Sequence, residues 1–143
     1  MAKAIKLNIK NNFDFVLIGL VTSEPIYRLS WLLNNEFGLQ LADFKSVQLL
    51  RMPTKIIQSF SRFAYQNESD TFYELIQNRG ANGLFIEEQK NIDYFLKITN
   101  NFTDSNDLTC RIKELKNISL VVELQPGSLK SKNRLISYPE EFN

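Results

Sequence analysis

From Phe15 to Val21 the chain runs through seven residues with no charged or polar side chain, and odd and even positions are equally apolar. In an extended segment successive side chains point to opposite faces. A strand read over Phe13–Val21 must therefore be covered on both sides, which calls for a layered interior rather than a sheet with one wet face. The run is far too short to cross a bilayer, and no small-residue cleavage site follows it, so a cytoplasmic protein that does not enter membranes is expected. The material for such an interior is present: 143 residues, 43% of them hydrophobic, with 11 Phe, 5 Tyr and one Trp. A single domain over residues 1–138, with 139–143 as a loose tail, matches that length.

Around this strand the patterning is mixed. Ile5, Leu7 and Ile9 alternate with polar residues, predicting a strand over 4–10. The segment 24–37 reads as a helix: Ser23 caps it, Pro25 stands in its first turn, Gly38 stops it, and Ile26, Leu29, Leu33 and Phe37 form its core stripe. Tyr27 and Trp31 are expected to widen that buried face. Strands follow over 44–51, 56–65 and 71–77, the last two joined by the polar loop Gln66–Asp70. After the glycine-containing stretch Asn78–Gly83, Ile92, Tyr94, Leu96 and Ile98 alternate with Asp93, Phe95 and Lys97, predicting a strand with one apolar face. A second helix over 104–116 has Asp104 and Asp107 at its start and Leu108, Ile112 and Leu115 as its stripe. A strand over 118–124 turns Ile118, Leu120, Val122 and Leu124 inward, and 129–136 reads as a short last helix. The expected fold class is α+β: a mixed or antiparallel sheet with helices packed on one face, of the ferredoxin-like, split βαβ kind, with an added hairpin.

Composition removes several kinds of chemistry. Without histidine there is no Ser-His-Asp triad, no Cys-His pair and no imidazole metal site, and one cysteine allows neither an internal disulfide nor a thiolate cluster. Neither catalytic residues, cofactor nor metal ligands are expected. The net charge is +1, with no run of like charges and no basic aromatic motif, so nucleic acid is not an expected partner. Charge is nevertheless uneven: residues 1–62 carry eight Lys/Arg against four Asp/Glu, and residues 63–107 carry three against eight. Arg28 reads as an exposed ion-pair residue, and Cys110 lies opposite the apolar stripe of its helix, as an exposed and unactivated thiol.

One segment carries a family resemblance. Ile86-Glu87-Glu88-Gln89-Lys90-Asn91-Ile92-Asp93-Tyr94 resembles the signature of the IPExxxVDY family, small proteins of the Bacteroidetes group, through Ile86, Glu88, Asp93 and Tyr94. Glu87 stands where the family has proline and Ile92 where it has valine. Phe13-Asp14-Phe15, Leu17-Ile18-Gly19, Tyr27-Arg28-Leu29 and Trp31 resemble the family's front end, so the similarity spans most of the chain. It implies a fold and a lineage and brings no activity with it. On their own chemistry, Glu88 and Asp93 suit tethering of loop amides and pairing with a basic residue, and Tyr94 has core parity with its hydroxyl at an edge. The expected function is binding, as an assembly or regulatory module engaging a protein partner, with a small-molecule sensor as the alternative. The long strand 56–65 carries only Arg62 as a charge and reads as a poorly protected edge. A homodimer through the hairpin 56–77, with Phe60 or Phe63 near its centre, follows from that.

Overall fold

The computed structural model describes residues 15–51, 54–100 and 105–136. Its elements are β1 (Phe15–Val21), α1 (Ile26–Phe37), β2 (Ala42–Arg51), β3 (Ile56–Gln66), β4 (Phe72–Gln77), β5 (Arg79–Gly80), β6 (Gly83–Leu84), β7 (Tyr94–Thr99), α2 (Ser105–Lys113) and β8 (Leu120–Leu124), followed by a 3₁₀ turn at Pro126–Ser128. Among the described residues, eight strands and two α-helices make an α+β fold. Six strands form one sheet in the order β2-β3-β4-β7-β1-β8, every neighbouring pair antiparallel, and β5 with β6 forms a separate small ear. Because β7 and β8 both run antiparallel to β1 from either side, they are parallel to each other, and α2 connects them. The expected strand 4–10, the Asp104 cap and the tail 139–143 lie outside the described residues.

The two-sided apolar run of β1 is satisfied by two cores. Ile18 and Leu20 enter one with Leu29 and Leu33 of α1, Leu108 and Ile112 of α2, and Leu75, Tyr94, Leu96, Ile98 and Val121 of the sheet. Leu17 enters the other with Val47, Phe60, Ile76, Phe85, Ile86, Ile92, Phe95, Leu129 and Leu135. Both helices therefore cover one face of the sheet. Irregular chain, the ear segment 78–93 and the C-terminal segment 126–136, covers the other. The stripe of α1 is as expected, and Gly38 ends the helix at φ 66°, where a residue without Cβ is unstrained.

Several expectations are corrected. Trp31 is 51% and Tyr27 69% exposed. At roughly 100° per residue Trp31 lies about 160° from both Leu29 and Leu33, so it cannot share their face. Trp31→Ala should therefore change stability by less than about 1 kcal/mol in urea titrations followed by circular dichroism. Helix α1 begins at Ile26 after an extended Pro25, with no side-chain cap from Ser23. The hydroxyl of Thr22 instead accepts the Glu24 N–H at 3.2 Å. In β7 the face expected to be polar is buried too, with Phe95 at 0% and Lys97 at 6% exposure, because the C-terminal segment lies over it. Ile92 precedes that strand and packs in the second core over Gly19, where a Cβ would stand 2.9 Å from its side chain. Ile118 also precedes its strand, so Val121 rather than Leu120 turns into the helix-side core, and Leu120 is 51% exposed. The expected helix 129–136 is a run of turns, helical only over 134–136.

The correction with most consequence concerns the edges. Strand β3 pairs with β2 from Ile56 to Ala64 and with β4 from Arg62 to Gln66, so it is not the outermost strand, although 56–61 runs past the end of β4. Phe60 is fully buried, its ring 5.3 Å from that of Phe85, and Phe63 is half-buried against the helix-side core. A dimer with Phe60 at its centre is incompatible with that packing. Among the described residues the outermost strands of the sheet are β2 and β8.

Candidate functional site

The backbone of two signature residues, Ile86 and Asp93, meets at Asn78, which directly follows β4 and is fully buried. Its side-chain amide donates to the carbonyls of Gln89 at 2.9 Å and Ile92 at 2.8 Å, and its side-chain oxygen accepts the Ile86 N–H at 2.8 Å. Its backbone N–H donates to Asp93 and its carbonyl accepts from Phe85. One side chain thus folds the whole loop 85–93 onto the end of the sheet, and buries Ile86 completely. Asp93 fastens the far side of this loop: its carboxylate accepts the Thr22 N–H at 3.0 Å and Arg79 Nε at 2.9 Å, while Arg79 also donates to the Lys90 carbonyl. Tyr94 is buried, and its hydroxyl donates to the Glu24 carbonyl at 2.7 Å, tying the β7 start to the entry of α1. Burial, with the charges of Asp93 and Glu24, pushes that phenol above its ordinary range.

Glu88 works on the C-terminal segment, accepting the Ser131 N–H at 2.7 Å and the Ser131 hydroxyl at 2.8 Å. Glu88 and Asp93 thus serve opposite ends of the loop. Among the described residues no group of three or more His, Cys, Asp or Glu side chains is placed to hold a metal. Partial burial pushes the Glu88 carboxyl up, but the hydrogen bonds from Ser131 and neighbouring backbone outweigh it, and its pKa is lower than usual. A carboxylate with a depressed folded pKa stabilises above its unfolded pKa, roughly 4.3 for Glu, and that contribution is lost as pH falls through the folded value. The stability difference between wild type and Glu88→Gln should therefore be constant near pH 7 and shrink below about pH 4.3. Urea titrations across that range check it, and a difference independent of pH contradicts the role given to the carboxylate.

On the second core's side of the sheet a row of charged side chains crosses three adjacent strands. Arg62 of β3, Glu74 of β4 and Lys97 of β7 are 2%, 1% and 6% exposed. Arg62 Nη1 meets Glu74 Oε2 at 2.9 Å, and Lys97 Nζ lies 3.7 Å from Glu74 Oε1. Phenylalanine rings close the row at both ends: Arg62 stacks on Phe44 of β2 at 4.7 Å and Lys97 on Phe15 of β1 at 4.7 Å. Burial lowers the Lys97 pKa, Glu74 opposes that, and Arg62 reinforces it, leaving a net depression.

The third feature is a ribbon. Pairing between β3 and β4 begins at Arg62–Ile76, so the earlier residues of β3, with their partners in β2, project past β4. The ear covers one side of this ribbon. Gln58 Nε2 donates to the Asn82 carbonyl, Asn82 Nδ2 donates to the Ile57 carbonyl, and a Cβ on Gly80 would stand 2.6 Å from the Ser59 carbonyl oxygen. On the other side the cross-strand partners Leu50 and Ile57 are 60% and 59% exposed, beside exposed Gln48 and Ser59. A shallow recess of about 230 Å³ there is lined by Gln48, Leu49, Leu50 and Ile57. Elsewhere Arg28 stacks on Trp31 at 4.8 Å on the outer face of α1, and Cys110 is exposed on α2. The motif in the sequence drew attention to Ile86, Glu88, Asp93 and Tyr94 but missed Asn78, the charged row and the Leu50–Ile57 pair. Compared with family models, curated proteins and solved structures, the chain has no significant match to any of them.

Proposed function

We propose that this chain is a non-enzymatic binding module that assembles through the β2–β3 ribbon, in its simplest form a cytoplasmic homodimer. The observation that carries this reading is the Leu50–Ile57 pair, two aliphatic side chains more than half exposed on a ribbon face beside the outermost of the described strands. Natural edges are ordinarily blunted by charges, bulges or cover; the bulge of β2 lies at Phe44–Val47, and the stretch beyond it, Val47 to Leu50, carries no charge and fits a partner. A second copy is the simplest occupant, because a two-fold axis lets one edge cover its own equivalent. The sensor reading is less well served: a ligand site wants a concave pocket with converging polar groups, whereas the recess here has three aliphatic walls and one glutamine. The order β4-β7-β1-β8, with α2 connecting the parallel pair β7 and β8 across β1, supports a ferredoxin-like core to which β2 and β3 are added. In the same reading the segment 86–94 is the structural signature of an IPExxxVDY-type lineage. Neither a membrane nor a nucleic acid is a partner in this reading: no described helix is long and apolar enough to span a bilayer, and Phe60 is spent on the core.

Sedimentation velocity decides the matter. A dimer is expected at about 100 μM, since specific interfaces of ordinary size are tighter than that, and a monomer there overturns the proposal. Leu50→Glu with Ile57→Glu should give a folded monomer, whereas Phe60→Glu should unfold the chain.

A further inference from the structure

The row of Arg62, Glu74 and Lys97 does not end at its charges. Between Phe44 and Val47 the pairing of β2 with β3 shifts register, and the bulge leaves Lys45 out of the ladder. Its carbonyl turns to Arg62, whose Nε donates to it at 3.0 Å. At the other end Lys97 Nζ donates to the carbonyl of Leu135 at 2.6 Å, in the C-terminal segment. A single buried line of polar contacts therefore runs from the bulge of the outermost strand, across β3, β4 and β7, to a segment on the far part of the same face.

We propose that this line is a latch coupling the docking of residues 129–136 to the ordering of β2. Release of 129–136 takes the Leu135 carbonyl from Lys97 and admits water to an ammonium that this segment covers, so its hold on Glu74 loosens. Glu74 is held by Arg62, whose fork cannot move toward a displaced carboxylate without loosening its Nε bond to the bulge. Partial satisfaction of a buried charge network is costly, so both ends engage or release together. As regulation of assembly this rests on the ribbon being the assembly surface; the coupling itself does not.

The test loosens the C-terminal segment from a point outside the row. Glu88→Ala removes the two hydrogen bonds to Ser131, and hydrogen–deuterium exchange is read by mass spectrometry in peptides covering 129–136, 42–51 and 29–37. Exchange in 129–136 and in 42–51 is expected to rise about fivefold or more, with 29–37 unchanged. With Lys97→Met present, Glu88→Ala should still speed 129–136 but no longer affect 42–51. If Lys97→Met does not fold, Arg62→Lys cuts the line at its other end and should give the same uncoupling. Unchanged exchange in 42–51, equal acceleration in 29–37, or a response in 42–51 that survives both cuts overturns the latch. Sedimentation of the same variants separates the two proposals: a wild-type protein that is monomeric throughout removes the assembly reading while the exchange result stands on its own.

Discussion

Asn78→Ala is expected to lower stability by about 3–5 kcal/mol, as much as emptying a core position. The side chain contributes no apolar packing of note; its effect is to satisfy three backbone groups at once. Without it the Ile86 N–H and the carbonyls of Gln89 and Ile92 lose their side-chain partner at a fully buried position. The Gln89 carbonyl keeps the Ile92 N–H at 3.3 Å, so the loss falls on the Ile86 N–H and the Ile92 carbonyl, each costing about 1–3 kcal/mol when left unsatisfied. Asn78→Asp should be no milder, because its second oxygen faces two carbonyls and can donate to neither. Urea unfolding followed by circular dichroism measures the loss, and hydrogen exchange in residues 85–93 locates it. A loss below about 1 kcal/mol would show that the loop holds its shape through its apolar residues alone.

That Asn78 was illegible in the sequence has a physical cause. In Asn-Arg-Gly-Ala-Asn-Gly it reads as turn chemistry, and its burial is decided by where β4 ends relative to a loop that returns over it. What was legible is local. The two-sided apolar run of β1, the stripe Ile26-Leu29-Leu33-Phe37, the αL stop at Gly38 and the hairpin around Gln66–Asp70 each depend on neighbours a few residues away. Trp31 was legible as well, since its angular distance from Leu29 and Leu33 is fixed by helix geometry. Strand order was not. Residues 56–65 have the composition of an exposed edge, and it takes β2 along one side, β4 from Arg62 onward and the ear over Gln58 to change that. The cover of the second core was hidden for another reason: segments 78–93 and 126–136 are irregular, with no period to announce which of their side chains face inward. That hidden layer is why Arg62 and Lys97, which look like solvent-facing positions, are buried.

The charged row gives the other large effect, and it has opposite consequences for single and combined changes. Glu74→Leu is expected to cost about 3–5 kcal/mol, because it takes away the carboxylate between Arg62 and Lys97 and leaves two like charges facing one another at 2% and 6% exposure. Replacing the three together, Arg62→Met with Glu74→Leu and Lys97→Met, removes the charges along with the need to balance them, and should recover most of that loss. The two variants separate energy from position. Their unfolding free energies report whether the row stabilises the fold. Hydrogen exchange in 42–51 and 129–136 reports whether the carbonyls of Lys45 and Leu135, now without their cationic donors, still hold the bulge and the C-terminal segment in place. Recovered stability with both segments exchanging faster would mean that the row is kept for the arrangement it enforces. A triple variant as unstable as Glu74→Leu would mean instead that the two carbonyl bonds carry the energy, since removal of the unbalanced charge would then have restored nothing.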